Sequence, residues 1–128
     1  MSGLSGRRIL IAEDEILLAM ALEELLRDAG CEQFATATRV DDALEKIRTW
    51  RPDIATLDLN LRGQQAFPVA DALDDDGVPF VIVSAYSHNS IPARHSARPF
   101  VGKPFRPDLL VQTLCGLLAP PVPRIDVR

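Results

Sequence analysis

Short apolar runs alternate with stretches of helical periodicity along almost the whole chain. The apolar runs span residues 7–12, 32–37, 53–59, 78–85 and 97–102. Apolar residues recur at three- and four-residue spacing over 15–30, 40–50, 64–77 and 106–118. This order predicts parallel strands that are joined by helical crossovers, with helices on both faces of the sheet.

The predicted architecture is a flavodoxin-like α/β fold with a doubly wound sheet of five parallel strands in the order 2-1-3-4-5. Gly30 is predicted to end the first helix. Thr38 precedes Asp41 by three residues, which predicts a capping box at the second helix. The buried stripe of the first helix is predicted to consist of Leu18, Leu22, Leu25 and Ala29.

One connection lacks the helical pattern. Residues 86–96 are polar and carry Pro92 near their centre, so we expect a short or frayed helix there, or none.

Length and composition limit the classes of function. The 128 residues suit one domain, placed at 1–120, followed by a Pro-rich tail at 121–128. A net charge of −4 and a pI near 5.1 give no basic surface for nucleic acid. Neither a membrane span nor a signal peptide is visible, and Cys31 and Cys115 read as reduced thiols, so a cytoplasmic location is expected.

Chemically active residues follow the predicted strands at their carboxyl ends, which meet at one edge of a parallel sheet. Three of them are acids that would repel one another unless a cation joined them, and oxygen ligands suit Mg²⁺. With an ammonium and a hydroxyl nearby, such a carboxylate could attack phosphorus and form an aspartyl-phosphate. These residues are Glu13, Asp14, Asp58, Ser84 and Lys103.

Each of these residues also has a plainer interpretation. Glu13 and Asp14 could simply cap the first helix. Asp58 could bond a loop amide at the end of its strand, and Lys103 could be a solvated lysine. The joint placement of the acids and Lys103 on one edge of the sheet favours the functional interpretation. Phe100, in the fifth predicted strand, could be ordinary core packing.

Four motifs in order make the chain similar to the receiver domains of two-component response regulators: "LIAEDE", "IATLDLNL", "FVIVSA" and "VGKPF". The resemblance implies that Asp58 accepts phosphate from a histidine kinase and that Ser84 and Phe100 switch together. It implies a cis Lys103–Pro104 bond. It also implies Mg²⁺ bound by Glu13, Asp14, Asp58 and the Asn60 carbonyl, and phosphate contacts from Lys103, Ser84 and the amides of Leu59 and Ala85.

A narrower resemblance links "PFVIVSA" to stand-alone alphaproteobacterial receivers with a Pro-Phe-x-Phe-Ala-Thr-Gly pattern. The chain keeps Pro79 and Phe80 but departs from the pattern after them. That group implies a poorly formed fourth helix and histidine kinases of the HWE and related types.

The sequence therefore predicts a single-domain response regulator that signals through another protein and is not a turnover enzyme. Residues 86–96, with the fifth strand and the last helix, are the surface expected to change on activation, and we hypothesise that phosphate would order that segment. One alternative is a receiver-fold interaction module that works without phosphate. A second is a phosphatase of the haloacid-dehalogenase type, which would need an Asp where this chain has Asn60.

Overall fold

The computed structural model describes residues 4–85 and 91–118. The predicted sheet is confirmed: five parallel strands lie in the order β2-β1-β3-β6-β7, which corresponds to 2-1-3-4-5. A separate antiparallel hairpin is formed by β4 and β5. In chain order the strands are β1 (Arg8–Ala12), β2 (Gln33–Ala37), β3 (Ile54–Leu57), β4 (Asn60–Leu61), β5 (Gln64–Gln65), β6 (Phe80–Ser84) and β7 (Phe100–Gly102).

Helices cover both faces of the sheet, as predicted. They are α1 (Ile16–Asp28), α2 (Val40–Thr49), α3 (Phe67–Asp75) and α4 (Pro107–Leu118). Successive side chains of a strand point to opposite faces, so β1 buries Ile9 and Ile11 beneath α1 and α4. Leu10 and Ala12 of the same strand are buried beneath α2 and α3. Within the described ranges, every helix is too short or too polar to span a bilayer.

The first helix is rotated slightly from the prediction. Its fully buried residues are Ala19, Leu22 and Leu26, whereas Leu18 and Leu25 are only partly buried at the edges of the stripe. The apolar stripe of a helix is wide, so spacing alone does not fix its centre line. Gly30 follows the end of the helix with φ +97°, as expected for a stop residue.

The predicted capping box is wrong. The residue that precedes α2 in the N-cap position is Arg39, and no side chain caps this helix. Because the helix begins one residue later than the motif requires, Thr38 lies outside the N-cap position. The Asp41 carboxylate instead accepts a hydrogen bond from the N–H of Asp42 at 2.8 Å.

The predicted helix at 64–77 is too long at its start. Gln64 and Gln65 pair with β4, and α3 begins at Phe67 with Pro68 in its first turn. The turn at Arg62 and Gly63, both with positive φ, folds Gln64 and Gln65 back onto Asn60 and Leu61, so these two residues are extended and not helical.

The connection after β6 is only partly described. Residues 91–96 contain a single 3₁₀ turn at Ala93–His95, which agrees with the expected short helix. The rest of that segment, 86–90, and the tail at 121–128 lie outside the described residues. The predicted strand at 97–102 is shorter than expected and covers only Phe100–Gly102.

Candidate functional site

The site residues continue the backbone of the sheet beyond the ends of its strands. The N–H of Glu13 donates to the Ala37 carbonyl at 3.0 Å, and the N–H of Asp58 donates to the Ala12 carbonyl at 2.9 Å. The N–H of Lys103 donates to the Ser84 carbonyl at 2.9 Å. The parallel sheet therefore brings residues that are distant in sequence to one edge, here called the rim.

Three carboxylates meet one ammonium at the rim. Glu13, Asp14 and Asp58 each place one oxygen within 4.8 Å of the others. The Lys103 Nζ lies 2.7 Å from Asp58 Oδ2 and 2.9 Å from Glu13 Oε1. Glu13 and Asp58 are only 1 % and 7 % exposed, so solvent screens their repulsion poorly. These four side chains, here called the rim cluster, carry more negative than positive charge.

The plainer interpretation of Asp58 is correct for one of its oxygens, but neither Glu13 nor Asp14 is the N-cap residue of α1, which is Glu15. Glu13 Oε2 accepts a hydrogen bond from the N–H of Glu15 at 3.0 Å, at the start of α1. Asp58 Oδ1 accepts one from the N–H of Asn60 at 3.0 Å. In both residues the second oxygen faces Lys103. A backbone contact on one oxygen therefore orients the other for the site.

Burial shifts the ionisation equilibria of this cluster. It raises the pKa of Glu13 to about 7, although hydrogen bonds from Lys103 and the Glu15 amide oppose the rise. Burial of Lys103 disfavours its charge, but hydrogen bonds to Asp58 and Glu13 outweigh burial and raise its pKa. The lysine therefore stays charged, while Glu13 lacks enough positive charge nearby.

The donor set fits a hard divalent cation. All three acids offer oxygen, which is the ligand type that Mg²⁺ prefers, and their excess charge is what such an ion would neutralise. An adjoining cavity of about 260 Å³ leaves room for water ligands and is lined by Asp14, Glu15, Asp58, Asn60, Ala85 and Lys103. Glu13, Asp14 and Asp58 would hold the ion, and Asn60 lies beside them.

Of the remaining predicted residues, Ala85 lines this cavity, whereas Leu59, Ser84 and Phe100 do not. Ser84 ends β6 and is fully buried, and its neighbour Ala85 lines the cavity. Leu59 is 6 % exposed and packs into the core beneath α2 and α3, where the half-buried Phe100 also packs. The cis Lys103–Pro104 bond is confirmed. The roles of Ser84, Leu59, Ala85 and Phe100 toward phosphate stay predictions.

Two contacts at the rim were missed by sequence reasoning. The N–H of Arg62 donates to Asp14 Oδ2 at 2.9 Å, across 48 residues of chain. The exposed Glu15 places Oε1 3.7 Å from the Lys103 Nζ. The dipeptide Arg62–Gly63 inside a polar stretch was an available turn signal for the first contact.

An apolar surface lies beside the rim on α1. Ile16, Leu17 and Met20 are 62 %, 83 % and 58 % exposed. A groove of about 760 Å³ separates this helix from the start of α4 and is lined mainly by apolar side chains, with Glu15 and Lys103 at its rim end. Exposed apolar surface of this kind marks sites of protein contact.

A family model described as the response regulator receiver domain matches residues 9–115. Chemotaxis protein CheY of Thermotoga maritima is 27 % identical over 114 residues, which cover 85 % of this chain and 95 % of that protein. Transcriptional regulatory protein PdtaR of Mycobacterium tuberculosis is 31 % identical over 103 residues, which cover 77 % of this chain and 50 % of that protein. The chain thus spans nearly all of the first relative and about half of the second.

Solved structures agree with these sequence matches. The solution structure of SdrG from Sphingomonas melonis Fr1 superposes with a TM-score of 0.75 at 39 % identity, covering 93 % of this chain and 100 % of that one. The PhyR response regulator of Brucella abortus superposes with a TM-score of 0.73 at 28 % identity, covering 88 % of this chain and 47 % of that one.

Proposed function

The chain belongs to the receiver domains of two-component response regulators, and from this premise we propose that it is a single-domain response regulator that accepts a phosphoryl group on Asp58. The donor is a histidine kinase, and the signal passes to another protein through binding. CheY of Thermotoga maritima and SdrG are matched over 95 % and 100 % of their own lengths, so proteins of about this size occur among the relatives. We also infer a cytoplasmic location from this family membership.

The observation that carries the proposal is the contact between Asp58 and Lys103 inside the acidic cluster. Asp58 Oδ2 lies 2.7 Å from the Lys103 Nζ, with Glu13 bound to the same ammonium. An ion pair that served stability alone would not need two further acids beside it, because each adds repulsion. Excess carboxylate around a buried Asp is expected where a cation and a phosphoryl group bind.

The chemistry follows from this placement. A carboxylate oxygen of Asp58 forms a bond to phosphorus while the bond from phosphorus to the donor histidine nitrogen breaks, and its electron pair stays with that nitrogen. Lys103 neutralises negative charge on the transferring group. Mg²⁺, when bound, would screen the phosphoryl oxygens from the acids and hold those acids ionised.

Residues next to the rim cluster would complete the phosphate site. We propose that the amides of Leu59 and Ala85 and the hydroxyl of Ser84 contact phosphate oxygens. Ser84 would then move together with Phe100, which lies on the neighbouring strand. Because Ser84 is buried in this structure, a shift of this residue would be transmitted to the side chains packed against it.

The apolar surface of α1 supports a protein as the phosphate donor. Asp58 is recessed, so a donor histidine can reach it only if the part of the donor protein around that histidine rests on the rim. Leu17 and Met20 offer an exposed apolar contact there, and Glu24 and Asp28 border the adjacent groove. We infer that the kinase docks on this surface, and the sequence resemblance favours a kinase of the HWE type.

Acetyl phosphate labelling followed by intact-mass spectrometry tests the proposal. We expect Mg²⁺-dependent addition of one phosphate to the wild-type protein. The control variant Asp71→Asn, which changes a residue of α3 outside the rim cluster, should also gain one. Asp58→Asn should gain none. Absence of phosphate on the wild type would favour the phosphate-independent interaction module. Asp58-dependent turnover of p-nitrophenyl phosphate would favour the phosphatase.

A further inference from the structure

The hairpin formed by β4 and β5, residues 60–65, lies directly beside the acidic cluster and is here called the rim hairpin. Its turn residues Arg62 and Gly63 have φ values of +52° and +81°. Leu61 is fully buried in the core beneath α2 and α3. The N–H of Ala66 donates to the Leu59 carbonyl at 2.7 Å and closes the base of the hairpin. The hairpin is therefore anchored at its base and at Leu61.

Backbone N–H groups of this hairpin point into the acidic cluster. The Asn60 N–H donates to Asp58 Oδ1 at 3.0 Å, and the Arg62 N–H donates to Asp14 Oδ2 at 2.9 Å. The Gly63 N–H donates to Asn60 Oδ1 at 2.9 Å and ties the turn to the base of the hairpin. Two of the three acids are thus oriented by backbone amides of the hairpin, which carry no formal charge.

The turn depends on an unusual backbone conformation. Arg62 is not glycine, yet it holds a left-handed φ that most side chains disfavour. Its side chain is exposed and forms no ion pair with the described residues. What the conformation supplies is the direction of the Arg62 N–H toward Asp14.

We propose that the rim hairpin is a positioning element for the divalent cation, and that its left-handed turn sets the affinity of the site. The inference rests on the proposed function, because it requires the acids to bind Mg²⁺. Groups that hydrogen-bond to metal-binding side chains fix their orientation, and losing one such contact typically weakens metal affinity by about 10–100-fold. Here those groups are backbone amides, so the turn conformation takes the place of an orienting side chain.

Gly63→Val tests the proposal against a matched control, Gly77→Val. Both glycines have positive φ, +81° and +68°, and an added Cβ would meet no atom within 4 Å at either position. Valine therefore strains both turns in the same way, but Gly77 follows α3 and makes no contact with the rim acids. The measurement is the Mg²⁺ dissociation constant by isothermal titration calorimetry, with urea denaturation of each variant.

We expect Gly63→Val to weaken Mg²⁺ binding about tenfold or more, and Gly77→Val to leave the affinity at the wild-type value despite a similar loss of stability. Gly63→Asn should bind nearly as the wild type does, because asparagine tolerates left-handed φ. If Gly63→Val does not fold, Arg62→Val applies the same strain one residue earlier.

The inference is overturned if the valine variant at the rim binds Mg²⁺ with wild-type affinity, or if the Gly77 control loses affinity equally. A wild-type protein that binds no Mg²⁺ would instead remove the metal site of the proposed function, and the inference with it. The readout is Mg²⁺ binding and not phosphorylation of Asp58. Failure of the inference alone appears in the variants, whereas failure of the proposed metal site appears already in the wild type.

Discussion

The rim cluster and a second charged group, in which Arg94 and His95 contact Asp71 of α3, differ in how far their charges are balanced. In the second group, here called the α3 cluster, Asp71 accepts hydrogen bonds from Arg94 Nε at 2.8 Å and Arg94 Nη2 at 3.1 Å. His95 Nε2 lies 2.8 Å from the same carboxylate and must donate to it. One acid thus meets one cation and one imidazole, whereas the rim has three clustered acids and one ammonium, which contacts only Glu13 and Asp58 of the three.

The two clusters shift carboxyl groups in opposite directions. Hydrogen bonds from Arg94 and His95 lower the pKa of Asp71 to about 2, whereas burial raises the pKa of Glu13 to about 7. The α3 cluster balances the charge of its acid within the chain and links Arg94 and His95 to α3, although His95 Nδ1 has no hydrogen-bond partner among the described residues. The rim cluster keeps an excess of negative charge, which is what a bound divalent cation would neutralise.

Lys103→Met should have the largest effect on stability. It removes the cation that contacts Glu13 and Asp58, and we expect a loss of about 3 kcal/mol in metal-free buffer at pH 7.5, partly restored by Mg²⁺. Urea denaturation measures it. Arg94→Met at the exposed α3 cluster is the matched control and should change stability much less. Equal losses would show that the two clusters do not differ as described.

The pH dependence of the metal-free protein should show the raised pKa of Glu13. Between pH 4.5 and about 7 the folded state binds the Glu13 proton more tightly than the unfolded chain does. Stability should therefore fall as pH rises through this window, by about 3 kcal/mol at most, and level off above it. Glu13→Gln should lack this decline in urea denaturation with chelator present. A decline of the same size in the variant would contradict the assignment.

Asp71→Ala should cost less and leave the rim intact. It removes the partner of His95 Nε2, and His95 is only 1 % exposed, so we expect a loss of about 1–3 kcal/mol in urea denaturation. Asp58 should still be phosphorylated by acetyl phosphate. Asp74→Ala, which breaks the ion pair with Arg98, is the control and should cost less, because it leaves no buried imidazole without its partner. A larger loss in the control would indicate that His95 does not depend on Asp71.

The smallest effect is expected at acid pH. Because the pKa of Asp71 is lowered from 3.8 to about 2, its contribution to stability is present above pH 4 and is lost as pH falls toward 2. The Tm difference between the wild type and Asp71→Asn should therefore shrink over that range. A constant difference would mean that Asp71 titrates no differently in the folded protein.

Strand order and the rim were predictable because both follow from where apolar runs end. Asp58 follows a buried run and Lys103 follows another, and parallel strands bring such ends together whatever the loops do. The centre of the buried stripe of α1 was less predictable, since Leu18 and Leu25 satisfy the spacing almost as well as Ala19 and Leu26.

Contacts made by backbone groups in irregular segments could not be read from residue types. The bond from the Arg62 N–H to Asp14 depends on a left-handed φ that the sequence favours only weakly, through Gly63. His95, which pairs with Asp71, lies 24 residues further along the chain in a segment without helical periodicity. In both cases tertiary geometry, rather than local propensity, selects the partner.

The burial of Leu61 has a consequence for how the loop after Asp58 can be redesigned. Neighbouring residues of a strand face opposite sides, so inserting or deleting one residue between Asp58 and Leu61 would turn that leucine toward solvent. Substitutions at the exposed turn residues Arg62 and Gly63 do not change the number of residues before Leu61, so its side chain still faces the core. Loop grafts at this position should therefore preserve the number of residues before Leu61 and vary only the tip.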